Sequence, residues 1–129
     1  MEFPVVLIRK KRRSRKLVID GTTAYLKKRT RVHRFELPPE VAEWARRNID
    51  VLDWLVFDSP LSPYLRHPMS VRTMMLLLYV RAKQLPIAQF CRKIGIAHEQ
   101  LYRIERRIKN LGLEPIYSFL RERAQEGCR

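Results

Sequence analysis

Residues 74–80 (MMLLLYV) are seven consecutive apolar positions inside a stretch, VRTMMLLLYVRAK, that otherwise reads as helix. At 3.6 residues per turn such a run is apolar on more than one face. It is expected to be the buried central helix of the fold, or to turn part of its surface to a partner chain. The rest of the sequence must supply the cover. Ser70 is placed to cap its N-terminus. Seven residues fall far short of the roughly 20 that a helix needs to cross a bilayer. With 129 residues, 46% of them apolar, the chain has material for one compact domain, or for a domain with a small appended subdomain.

Downstream the helical pattern repeats. Pro86 opens a second helix, IAQFCRKI, which Gly95 stops; a third runs from about Ala97 to Asn110 and ends before Gly112. Pro115 opens a last helix, IYSFLRERAQEG, on which Ile116, Phe119 and Leu120 share a face.

Upstream the period is two. Residues 4–37 read as strands: FPVVLI, then KLVID and TTAYL on either side of Asp20 and Gly21, then RVHRFEL. An Asp-Gly pair between β-prone runs predicts a type I′ hairpin, pairing Ile19 with Thr22, Leu17 with Ala24 and Arg15 with Leu26. One face then carries Leu17, Ile19, Ala24 and Leu26, the other Lys16, Val18, Thr23 and Tyr25. His33, Phe35 and Leu37 fall on one side of the last strand. The expectation is a three- or four-stranded antiparallel sheet with a strongly basic tip, residues 10–16 (KKRRSRK) joining its first two strands. After Pro38 and Pro39 come two short helices, EVAEWARRN with a stripe of Val41, Trp44 and Ala45, and IDVLDWLVF with Asp50 as its cap. The three prolines of residues 58–68 mark a linker. The chain thus divides into residues 1–57, a linker at 58–69, and a helical unit at 70–129.

The net charge is +14, and it is unevenly placed. Residues 3–35 hold twelve Lys or Arg against Asp20 alone. Residues 36–65 hold six acids against two Arg, and residues 66–129 thirteen basic side chains against five acids. Positive charge at this density matches a phosphate backbone, where released counterions drive binding. Ion pairing, or a merely soluble surface, would not need so many cations without acids. Arg outnumbers Lys 19 to 8, as in a GC-rich, thermophilic source. The N-terminus sets its acidic and apolar residues before its basic ones, the reverse of a signal peptide, and the expectation is a cytoplasmic, nucleoid-associated protein. Cys91 and Cys128 stand 37 residues apart and His33, His67 and His98 are scattered, so no metal and no cofactor is expected. The carboxylates Asp50, Asp53 and Asp58 are explained by capping. No catalytic order of Ser, His and Asp stands out, and four glycines leave no phosphate-cradling loop.

Residues 87–106, IAQFCRKIGIAHEQLYRIER, carry a small residue in a first helix (Cys91), a turn residue four positions on (Gly95), and apolar anchors in a second (Leu101, Ile104). Phe90, Ile94 and Ile96 supply packing between the two. This spacing resembles the helix-turn-helix superfamily over residues 70–113. The continuation LYRIERRIKNLGL looks like the recognition helix of winged-helix regulators, although Cys91 stands where alanine is usual and EPIYSFLRERA reads as helix where a wing would follow. The fold class so implied is α+β, a small N-terminal antiparallel sheet followed by a helical helix-turn-helix domain. By that resemblance Leu101, Ile104 and Ile108 point inward. Ala97, His98, Glu99, Tyr102, Arg103, Arg106 and Arg107 then face the major groove, and Arg92 and Lys93 clamp the backbone. Lys10, Lys11, Arg12, Arg13, Arg15, Lys16, Lys27, Lys28 and Arg29 form a basic arm on the phosphates.

The expected partner is double-stranded DNA rather than RNA, for which aromatic interleaving is thin. No enzymatic activity and no membrane are expected. A small transcriptional regulator is the first reading, acting as a homodimer through the last helix or the Met-rich one. The alternatives are an architectural coating protein, the DNA-binding portion of a transposase or recombinase, or an accessory protein. A solvated amphipathic helix, with Glu105 paired to a nearby Lys or Arg such as Lys109, would explain residues 97–110 without any ligand.

Overall fold

The computed structural model describes residues 15–126. Its class is α+β: a three-stranded antiparallel sheet precedes a series of helices. The strands are β1 (Lys16–Asp20), β2 (Thr23–Lys27) and β3 (Val32–Glu36), in that spatial order. The helices are α1 (Pro39–Arg47), α2 (Ile49–Phe57), α3 (Pro68–Lys83), α4 (Ile87–Ile94), α5 (His98–Asn110) and α6 (Pro115–Glu126). The expected strand at residues 4–8 and most of the connecting segment lie outside the described residues, as does Cys128.

Alternation along the sheet sorts its faces as expected. Leu17, Ala24, Leu26 and Phe35 are buried, with Ile19 and His33 half-buried beside them. The register differs from the expected one. Leu17 lies opposite Leu26 and Ile19 opposite Ala24, so the two-residue loop is Gly21 and Thr22 rather than Asp20 and Gly21. The backbone explains the shift. A type I′ turn at Asp20 and Gly21 needs positive φ at both; here only Gly21 (φ +62°) bears it, as in a type II′ turn, and Asp20 stays in β1 opposite Thr23. Moving the pairing by two residues leaves every side chain on its expected face, because the strand period is two. Glu36 on β3 accepts from the hydroxyls of Thr22 and Thr23 and so fastens the turn.

The helix α3 is the centre of the molecule. Met74, Met75, Leu76, Leu77, Leu78 and Val80 have no exposed surface at all, and Tyr79 is buried among Trp44 and Phe90. The cover comes from the chain itself, since the sheet, α1, α5 and α6 all pack on α3. Ile116 and Leu120 of α6 are fully buried, with Phe119 partly so. The apolar residues expected at a dimer contact are therefore used within the chain.

Two expected caps are corrected. The cap of α3 is His67, whose Nδ1 accepts from the Met69 amide, so the helix begins at Pro68, ahead of Ser70. A proline in the first turn needs no amide partner, which favours that earlier start. Asn48 holds the cap position of α2, and the Asp50 carboxylate, in the first turn, receives both Nη groups of Arg123 from α6, at 2.7 and 2.8 Å. A bidentate Arg is a stronger partner than a terminal amide. The segment expected to be a linker is packed as well. It contains a single 3-10 turn over Ser62–Tyr64, flanked by the buried Leu61 and Leu65. Proline marked an irregular backbone here, and the buried leucines between the prolines fix it.

Candidate nucleic-acid interface

The helix pair α4 and α5 is set by a three-residue turn at residues 95–97. Gly95 takes φ +78°, and the amides of Gly95 and Ile96 both reach the Cys91 carbonyl, at 2.8 and 3.0 Å. This left-handed closure satisfies the Cys91 carbonyl near the end of α4 and redirects the chain. Cys91 is buried under it, and burial, then the Glu99 charge, pushes its thiol pKa up. The packing anchors read from the sequence are in place: Phe90 is buried, and Ile94 and Ile96 are half-buried.

On α5 the two faces separate cleanly. Leu101, Ile104 and Ile108 point into the core. Ala97, His98 and Glu99 are exposed at its start, followed by Tyr102 (42%), Arg103, Arg106 and Arg107. Arg92 and Lys93 are exposed on α4. The His98 ring stands edge-on to Tyr102, centroids 5.7 Å apart, with its Nε2 3.3 Å from a Glu99 oxygen. Arg103 borders a shallow depression shared with Met69, Ser70 and Thr73 at the start of α3.

Glu105 ties α5 to α3 on the same face as its apolar anchors. Its carboxylate is buried and receives Nε and Nη2 of Arg81 from α3, at 2.7 and 2.8 Å. Of the basic partners expected for Glu105, the hydrogen-bonded one is Arg81 on another helix, and Lys109 contributes through its charge. Burial alone would raise the Glu105 pKa; the Arg81 hydrogen bonds and charge outweigh it and hold the carboxyl below its usual range. The Tyr117 hydroxyl of α6 is buried beside the same carboxylate, and desolvation together with that charge drives its pKa strongly up. Arg121 donates to the Arg81 carbonyl at 3.3 Å. Three helices thus converge on one carboxylate beneath the exposed arginines.

The basic arm divides. Lys10, Lys11, Arg12 and Arg13 lie outside the described residues. Arg15, Lys16, Lys27 and Arg29 are exposed, while Lys28 is half-buried and its Nζ donates to the Arg66 carbonyl at 2.9 Å. Charge on the sheet runs end to end. Asp20 and Glu36 lie toward the β1–β2 turn; Lys16 and Lys27 sit directly opposite each other at the far end, beside a four-residue turn closed by the Lys28 amide on the Arg31 carbonyl. Like charges in facing positions cost stability.

Two residues the sequence did not suggest join these territories. Arg107 lies over the Tyr64 ring, its guanidinium carbon 4.2 Å from the centroid. Arg66, two residues on, is exposed and is tied through its carbonyl to Lys28. The proline-rich segment therefore touches α5 on one side and the basic end of the sheet on the other. Only the prolines around Tyr64 and Arg66 were legible beforehand, and they read as a linker.

Among the described residues, no three His, Cys, Asp or Glu side chains gather as a metal site requires, and no helix is long and apolar enough to cross a membrane. No protein-family model matches the chain, and neither curated proteins nor solved structures give a match.

Proposed function

We propose that this protein binds duplex DNA as a small transcriptional regulator, with α5 entering the major groove and the basic end of the sheet lying on the phosphate backbone. The observation that carries the reading is the exposed face of α5, where Arg103, Arg106 and Tyr102 stand clear of the core while Glu105 fixes the helix beneath them. An arginine on a helix of fixed orientation can bind guanine O6 and N7 bidentately. The turn at Gly95 supports a likeness to helix-turn-helix proteins. The direct passage from α5 into α6 leaves that likeness to the three-helix core of α3, α4 and α5, without a wing.

Selection of bound sequences from a random duplex library tests the reading. An enriched motif supports a regulator, and a palindrome adds a homodimer with recognition helices about one DNA turn apart. Arg103→Ala is expected to weaken binding to the preferred sequence by roughly 1–3 kcal/mol and to leave random duplex nearly untouched. Equal losses on both would instead favour an architectural protein that coats DNA by charge. The paired lysines at the sheet end are the observation that suits this second reading.

A further inference from the structure

A groove of about 360 Å³ lies between the basic turn of the sheet, the end of α2 and the proline-rich segment. Among the described residues its cations are Arg15, Lys28 and Arg66, and the other lining residues are Ser62 and apolar side chains such as Phe57 and Pro63. No carboxylate among the described residues lines it. That is a local property, because the larger groove bordering β1, α1 and α2 includes both Asp50 and Asp53. The Ser62 hydroxyl is committed to the Val56 carbonyl at 2.7 Å, so positive charge rather than a neutral hydroxyl sets the character of the groove. Lys28 braces the floor through the Arg66 carbonyl.

The position of the groove matters as much as its charge. Tyr64, under Arg107, and Arg66, on the groove wall, are two residues apart, so their Cα atoms are separated by at most about 7 Å. The geometry points to this groove as a phosphate-backbone site that continues the face of α5, receiving the sugar-phosphate strand of the duplex whose bases α5 reads. This inference rests on the DNA-binding reading and deepens it. The segment between α2 and α3 becomes part of the interface, with Arg66 as a positioning contact that carries no sequence information.

Arg66→Gln tests it, because Arg66 is exposed and its carbonyl contact to Lys28 survives the substitution. On a 20-base-pair duplex the variant is expected to bind preferred and random sequences more weakly by the same factor. The slope of log affinity against log salt should be shallower by about 0.9, the value of one phosphate contact. Arg66→Glu should extend both effects, with unchanged thermal unfolding showing that the fold is intact. Wild-type affinity and slope in both variants would overturn the groove. A selective loss in Arg103→Ala would at the same time leave the DNA reading standing. Failure of the wild-type protein to bind any duplex would remove the DNA reading itself. Loss of binding to phosphatidylserine vesicles, with duplex binding intact, would assign the groove to lipid headgroups and overturn the inference.

Discussion

Glu105 occupies a position on α5 where the helical period calls for an apolar residue, and its side chain is only 8% exposed. A carboxylate there is tolerated because Arg81 meets it with two hydrogen bonds. Removing Arg81 leaves the charge buried without its partner. Arg81 is itself 34% exposed, so solvent screens part of the loss, and Arg81→Ala is expected to cost roughly 2–3 kcal/mol, read as a lowered midpoint in urea. The pH dependence follows from the depressed carboxyl. In the unfolded chain the group protonates near its usual value of about 4.3, and in the folded protein only below that. The stability contributed by the pair is therefore complete at neutral pH and is lost as pH falls through the folded pKa. A variant with Arg81→Met and Glu105→Leu together should lose that part of its acid sensitivity, as shown by a flatter stability profile below about pH 5.

Among the elements, the pair α4 and α5 depends most on a single backbone conformation. A Cβ at Gly95 would meet nothing within 4 Å, so space does not forbid a larger residue. The φ of +78° does. Gly95→Ala should destabilise the protein by about 1–2 kcal/mol through the left-handed backbone alone, and Gly95→Asn by less. If denaturant melts show the two variants equally stable with wild type, the turn is not set by this residue. The spacing of turn residue and apolar anchors was readable in the sequence because it is local, within about fifteen positions. The caps of α2 and α3 were less so. Asp50 and Ser70 had the right chemistry for capping, but a partner 73 residues away claimed the first and Pro68 moved the start past the second.

Over the whole molecule, +14 net charge describes an average that the fold redistributes. One end of the sheet carries Asp20 and Glu36, the other Lys16, Lys27 and the basic turn. The Thr hydroxyls that hold Glu36 also pull its pKa below the usual range, Arg34 adding a smaller contribution. Facing lysines at the basic end cost the free protein some stability. Lys27→Gln should accordingly raise the stability of the free protein by roughly a few tenths of a kcal/mol. It should also weaken binding to every duplex and flatten the salt dependence. Calorimetry of the free protein and a salt titration of the complex read the two effects separately. A gain in stability with unchanged affinity would separate the sheet from the interface.

Periodicity placed most of the core within the strands and helices, though not Glu105 or the leucines of the proline-rich segment. Seven apolar positions in a row called for an α3 covered by the fold or by a partner chain, alternation sorted the sheet faces whatever the register, and the i, i+3, i+4 pattern separated Leu101 and Ile104 from Arg103 and Arg106. These are properties of neighbours along the chain, and local geometry carries them without knowledge of the fold. Tertiary structure alone decided the partners. It set Arg81 against Glu105, Arg123 against Asp50, and Arg107 over Tyr64, pairs 24, 73 and 43 residues apart. It also turned the proline-rich segment from a spacer into the contact between α5 and the sheet. A side chain's charge is written in the sequence, but its energy depends on what the folded chain brings to within a few ångströms.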